Sequence, residues 1–186
     1  MMGVRPYNVG DRRGFTIVEL LIVIVVIGVL AAITIVAYNG IQQRTENTKT
    51  INSISTYARA IQSYATINNA YPIAAYPCLG GVGTRCANIT DSTGACNGAG
   101  AASYQAGFDT TIKTIAANVS GPSVQAMNCN GKQYSGAWYN SADGKSAVIH
   151  YYLRGNQECT AGSGLRVTGR YQADDTTVCI ASLPTL

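Results

Sequence analysis

The chain is poor in the groups that carry acid–base and metal chemistry: one histidine, His150, and nine carboxylates in 186 residues. No two of its six cysteines form a Cys-x-x-Cys pair, and one histidine cannot complete a Cys/His zinc set at finger spacing. No run of like charges occurs, so binding of nucleic acid through bulk charge is not implied by the net charge of +4. No proline lies between Tyr7 and Tyr71, so nothing in that stretch removes a helical hydrogen bond. With 12% charged and 8% aromatic residues, low-complexity disorder is excluded. These shortages argue against an enzyme. They give no catalytic residue, no metal site and no cofactor to assign.

What the chain has is concentrated. Residues 15–38 hold sixteen Val, Ile, Leu and Phe in 24 positions, a helix of roughly 36 Å at about 1.5 Å per residue, against a hydrocarbon core of about 30 Å. Sixteen apolar residues at about −0.3 to −0.6 kcal/mol each outweigh one carboxylate, Glu19, at about +3 kcal/mol. Arg5, Arg12 and Arg13 precede the span and no cation follows it before Arg44, which places Met1 on the cytoplasmic side. Cys78, Cys86, Cys96, Cys129, Cys159 and Cys179 all lie beyond the span. An even set of scattered cysteines reads as disulfides, and so as an oxidising compartment on the outer side. A secretory signal peptide has a shorter apolar region and a small-x-small cleavage site; this run is longer, and Ala31-Ala32-Ile33 offers no such site.

A carboxylate this deep in an apolar helix is a functional-site candidate whose partner should be a cation. It follows Asp11-Arg12-Arg13-Gly14-Phe15-Thr16-Ile17-Val18-Glu19-Leu20, a short basic leader ending in glycine, then phenylalanine, then glutamate four residues on. This resembles the type IV prepilin motif. The resemblance implies that a membrane aspartyl prepilin peptidase cuts on the cytoplasmic face after Gly14 and methylates the new amino terminus of Phe15. The mature chain would then have 172 residues, 186 less 14, and a charge near +2 once the leader's +2 is removed from +4. Glycine lets a protease cleft approach the backbone closely. Cleavage creates a cation in an apolar setting, and Glu19 of a neighbouring subunit is placed to neutralise the Phe15 amine and set the register of stacked helices.

Beyond the span, Ile51, Ile54, Ala58, Ile61 and Ala65 recur at steps of three and four, which predicts that the helix continues as an amphipathic half packed on a globular head. Gly28 and Asn39-Gly40 are its soft points, and Tyr71-Pro72 ends it. Residues 61–72 also resemble the end of a pilin's first helix. The expected organisation is a leader at 1–14, a membrane or filament-core helix at 15–38, an amphipathic half at 39–71 and a disulfide-stapled head at 72–186. Between Leu79 and Ser103 the composition suggests a long stapled surface loop. Phe108, Ile112, Ile115 and Val119, with Asp109 as N-cap and Gly121 beyond the end, suggest a short helix on the sheet. Gly136 to Tyr139 and Ser146 to Leu153 flank Asp143-Gly144 as a hairpin, and Leu165 to Tyr171 and Thr177 to Ser182 read as two more strands. The expected fold is α+β: a long amino-terminal helix laid on an antiparallel sheet of about four strands, as in pilins.

In the head, His150 stands in a strand among Ile149, Tyr151 and Tyr152 with no hydrolase motif around it. Asp174-Asp175 lacks the alternating oxygen ligands of an EF-hand and reads as a solvated turn. Asn88-Ile89-Thr90 and Asn118-Val119-Ser120 match the glycosylation sequon, a short pattern that recurs by chance. The twelve tyrosines read mainly as sheet packing. Of the fifteen pairings six cysteines allow, Cys159 with Cys179 is favoured by position, closing a loop of 20 residues around the last strands, and the pilin resemblance supports it. The remaining four would pair most simply as Cys78 with Cys86 and Cys96 with Cys129.

The function expected is that of a structural subunit. A membrane-inserted precursor, head outside, would assemble through its apolar helix into an extracellular type IV pilus filament. The implied partners are identical or related pilin subunits, the prepilin peptidase, the inner-membrane pilus assembly machinery, and membrane lipid before assembly. Two alternatives share the scaffold: a minor or competence pilin that binds DNA, for which Arg166 and Arg170 are the only close basic pair in the head, and a pseudopilin of a type II secretion system.

Overall fold

The computed structural model of the chain describes residues 14–80, 85–88, 100–117, 119, 121, 127–129, 132–134, 136–160, 162, 164–173 and 175–186. The chain divides into two compact units between Ile41 and Gln42. Helix α1 (Ile17–Asn68) is 52 residues long and unbroken through Gly28 and Asn39-Gly40, the two soft points of the sequence. In its apolar half the large side chains from Ile17 to Ile35 are at least half exposed. Among the described residues it is the one helix long and apolar enough to cross a membrane. The helix ends where Asn69 turns into the left-handed region, φ 50°, a conformation asparagine tolerates better than most residues. Tyr71-Pro72 follows immediately.

In the second unit, Ile54, Ala58, Ile61 and Ala65 are buried together with Tyr57 and Ala60, and Ile51 packs at the edge of the same cluster. The stripe at three- and four-residue steps is thus the face that meets the head. It packs on a seven-stranded sheet of order β2-β3-β1-β6-β7-β9-β8. Five strands form an antiparallel set: β1 (Ala74–Leu79), β6 (Ala137–Ser141), β7 (Val148–Arg154), β9 (Thr176–Ser182) and β8 (Arg166–Ala173). β3 (Gly100–Ser103) joins β1 in parallel and β2 (Arg85–Asn88) pairs antiparallel with β3. A separate two-stranded ladder joins β4 (Met127–Cys129) to β5 (Lys132–Tyr134). The layout is α+β and pilin-like.

Three expectations are corrected here. The sheet is larger than four strands because β1, β2 and β3 add to the four read from the sequence, and the latter two lie within the expected Leu79–Ser103 loop. Helix α2 runs Ala106–Ile115, stopping short of Val119 because Ala116 is extended, φ −141° and ψ 91°. Its N-cap is Gln105, not Asp109. Asp109 lies a turn inside, where its carboxylate accepts from Lys113 Nζ at 2.6 Å and Tyr104 Oη at 3.0 Å.

Side chains alternate across the sheet. Ala137, Tyr139, Ile149, Tyr151, Leu153, Cys179 and Ala181 face the helices and share one core with Phe108 and Ile112 of α2. Phe108 stacks on Tyr139 with ring centroids 4.9 Å apart. The opposite face carries Trp138, His150, Tyr152 and Val178, also buried. The β6–β7 turn places Gly144 at φ 71°, and Asp143 Oδ1 accepts the backbone N–H groups of Lys145 and Ser146 at 2.9 and 3.0 Å. Those bonds hold the Asp143 carboxyl below the usual carboxylate range.

Candidate functional site

Gly14 and Phe15 immediately precede the helix, and the Phe15 side chain is 90% exposed. Thr16 is the residue before α1 and Glu19 the third residue in it, so Thr-x-x-Glu occupies the spacing of a capping box. The geometry agrees. The Thr16 backbone N–H and hydroxyl each donate to Glu19 Oε2 at 2.8 Å, and the Glu19 N–H donates to Thr16 Oγ1 at 3.2 Å. The carboxylate also stands in the first turn, where the helix dipole favours negative charge. Its other oxygen, Oε1, has no partner among the described residues. Gly14, Phe15 and Glu19 therefore lie within six residues at the start of the helix, and Thr16 is the residue the leader motif leaves out. Thr-x-x-Glu ahead of an apolar run is the sequence signal that carries it.

Residues 10–35 match the prokaryotic N-terminal methylation motif. The chain is 34% identical over 61 residues to a type II secretion system core protein G of Pectobacterium carotovorum subsp. carotovorum, covering 33% of this chain and 39% of that one. The Escherichia coli (strain K12) protein of the same name is also 34% identical over 61 residues, covering 42% of its length. A fimbrial protein of Pseudomonas aeruginosa is 40% identical over 52 residues, covering 28% of this chain and 34% of that one. The chain is type IV pilin-like. It spans about two fifths of the length of the curated relatives it matches. No solved structure matches it significantly.

The head of this pilin-like chain holds the other candidate residues. Cys159 is bonded to Cys179 and Cys78 to Cys86, with Cα atoms 5.6 and 5.7 Å apart. The first bridge ties the segment after β7 to β9, and the second joins the end of β1 to β2. Cys96 lies outside the described residues, and with it the expected Cys96–Cys129 pair. Asn88 is in β2, whereas Thr90, Asn118 and Ser120 are outside the described residues, as is Asp174. Asp175 carries an Arg154 contact at 4.0 Å. Among the described residues no group of three His, Cys, Asp or Glu gathers.

Arg166 and Arg170 do not form a patch. Opposite residues of an antiparallel pair share a face; Arg166 is opposite Ser182 and Arg170 opposite Cys179, which point to opposite sides. A register shift between Val167 and Gly169 causes this, because one extra residue reverses side-chain parity. Arg170 is also occupied, donating from Nε to the Gln157 carbonyl at 2.8 Å and from Nη2 to Asn156 Oδ1. Several tyrosines are structural ties, with Tyr71, Tyr139 and Tyr151 donating to the carbonyls of Pro184, Pro72 and Thr160. His150 is buried, and desolvation pushes its imidazole down to about 4.

Proposed function

We propose that this chain is a structural subunit of a type IV pilus filament, made as a membrane-inserted prepilin, cut between Gly14 and Phe15 by a prepilin peptidase, and methylated on Phe15. The observation that carries the reading is Glu19: a carboxylate in the first turn of the apolar half of α1, four residues after Phe15, with one oxygen in its own helix cap and the other unpaired among the described residues. Cleavage at Gly14 would free an amine on Phe15. Pairing that amine with Glu19 of a neighbour would give each charge a partner once lipid is replaced by packed helices. In this reading the capping box and the intersubunit pair coexist, since a carboxylate has about four acceptor sites. Assembly proceeds with identical or related subunits, and the filament emerges outside the cell with the disulfide-bonded heads on its surface. The reading assigns no reaction to the chain.

The names of the secretion-system relatives favour a second reading, a pseudopilin built the same way. DNA capture by a minor pilin is less well supported, because Arg166 and Arg170 face opposite ways.

Intact-mass spectrometry of sheared surface filaments, with a deletion strain alongside, tests the proposal. A subunit beginning at methylated Phe15 in filaments that vanish on deletion is the expected result. A subunit that keeps Met1 to Gly14, or that has lost the span through Ala32, would overturn the prepilin reading. Intact filaments with lost protein secretion in the deletion strain would move the assignment to the pseudopilin.

A further inference from the structure

His150 is the chain's one histidine and Trp138 its one tryptophan. They are register partners across β6 and β7 on the sheet face opposite the helices. Their rings stack 3.8 Å apart at 19°, and Trp138 Nε1–H donates to Tyr152 Oη at 3.0 Å. Tyr76 packs edge-on against Trp138, with ring centroids 5.3 Å apart. His150 Nδ1 is buried and has no hydrogen-bond partner in the structure described. On this face the described neighbours are Trp138 from β6, Ile180 from β9, Tyr152 and Val148 along β7, Tyr76 and the disulfide-bonded Cys78 from β1, and Tyr171 and Gly169 from β8. All are uncharged at neutral pH. The cations on the face are Arg166, opposite Ser182, and Arg154, opposite Thr176 at the far end of β7; both charges oppose a further cation.

Tyr76 is the weak point of this cover. The β1–β6 register shifts between Ala75 and Cys78, and Tyr76 sits there with φ 58°, a left-handed conformation that strains a bulky side chain. Its side chain is partly exposed. Just beyond, the Cys78–Cys86 bridge fixes the end of β1.

We propose that His150 is an acid-operated latch: neutral, it completes the Trp138 stack with Tyr76 folded over it; protonated, it admits water through the Tyr76 bulge and opens that corner of the sheet, while the Cys159–Cys179 side stays closed. Protonation turns Nδ1 into a donor with no acceptor, and a buried unpaired cation demands water or exposure. The Tyr76 bulge is the route of lowest resistance, since opening it also relieves the left-handed backbone. Burial alone holds the imidazole's affinity for protons down, to about 4 from an ordinary 6.5, with no neighbouring charge contributing.

One tryptophan and one histidine make the test clean in the full-length chain held in detergent micelles. The imidazole resonance is followed by NMR from pH 8 to 3, together with Trp138 emission, its quenching by acrylamide, and backbone hydrogen exchange. The two rings should change with one midpoint well below 6.5, and the Tyr76 amide should open there while that of Cys179 stays protected. His150→Gln should abolish the Trp138 transition. Tyr76→Gly, which suits the left-handed backbone, should raise the histidine midpoint by about one unit by hydrating the ring, and it carries the test if His150→Gln does not fold. A midpoint at the ordinary value, a Trp138 transition that persists without His150, an unmoved midpoint in Tyr76→Gly, or simultaneous opening at Cys179 would each overturn the latch.

Discussion

The side chain of Asn47, on α1, exchanges two hydrogen bonds with the backbone of Arg154, at the end of β7. Asn47 Nδ2 donates to the Arg154 carbonyl at 3.0 Å, and the Arg154 N–H donates to Asn47 Oδ1 at 2.9 Å. β6 pairs with β7 only as far as Tyr151, so among the described residues the backbone beyond has no strand on that side. The asparagine amide supplies the donor and acceptor that a strand would have given. Gln43 Nε2 adds a second donor to the same carbonyl at 2.6 Å. The polar half of α1 is thus joined to the sheet by backbone recognition as well as by its apolar stripe.

Replacing Asn47 with Ala should destabilise the head by about 1 to 3 kcal/mol, the cost of leaving the partly buried Arg154 N–H unpaired while Gln43 still serves the carbonyl. Asn47→Asp retains the acceptor and loses the donor, so it should fall between Ala and the native residue. Denaturant midpoints followed by Trp138 emission check both, and equal midpoints for all three proteins would contradict the pairing.

The capping role of Glu19 is separable from its proposed role in assembly. Glutamine also serves at the third position of a capping box, so Glu19→Gln should keep the helix start but lose the negative charge, whereas Glu19→Ala loses both. Both variants should be processed at Gly14 and fail to assemble, the stranded amine costing about 3 to 5 kcal/mol. Only Glu19→Ala and Thr16→Ala should show faster hydrogen exchange in the first turn, for a cap worth about 1 kcal/mol. Native filament yield from Glu19→Gln would show that charge is not what assembly needs.

Removing the Cys159–Cys179 bridge by double serine substitution should cost about 3 kcal/mol for a loop of this length. The chain spacing is 20 residues. Urea unfolding with and without the bridge measures it, and β8 should lose hydrogen-exchange protection first because among the described residues it pairs only with β9.

The buried phenols set the alkaline limit of the head. Burial pushes Tyr57 and Tyr151 up to about 12, with the Asp109 charge adding at Tyr57, and raises Tyr139 as well. An unfolded chain releases these protons near 10, so above that pH it binds fewer protons than the folded chain and stability falls as pH rises. Thermal unfolding between pH 9 and 12 should show this loss, and Tyr57→Phe should reduce its slope.

Much of the fold and site could be read from residues that are neighbours in sequence. Gly14, Phe15 and Glu19 lie within six positions, the apolar run is a matter of composition, and Asp143-Gly144 between alternating strands announces its hairpin. What escaped depends on distant partners. β1 contains Pro77 and the left-handed Tyr76, and is a strand because β6 pairs on either side of its bulge. Gly100-Ala101-Ala102-Ser103 has little strand propensity of its own, and β2 and β1 give it ladders. Asp109 has the chemistry of an N-cap, but Tyr104 and Lys113 engage its carboxylate. Arg166 and Arg170 look like neighbours on one face until a bulge sets them apart.

The Cys159–Cys179 bridge encloses all of β8, an edge strand whose Thr168, Arg170 and Gln172 are exposed. Exposed loop tips on either side of such a strand are where proteolytic nicks concentrate. A cut anywhere between residues 160 and 175 would leave both pieces covalently joined, with β9 still laddered to β7 and Leu183 still bonded to Ala147. The nicked chain would keep its carboxyl-terminal strand and part into two fragments only on reduction, so proteolysis within this loop would scar the head without shedding it.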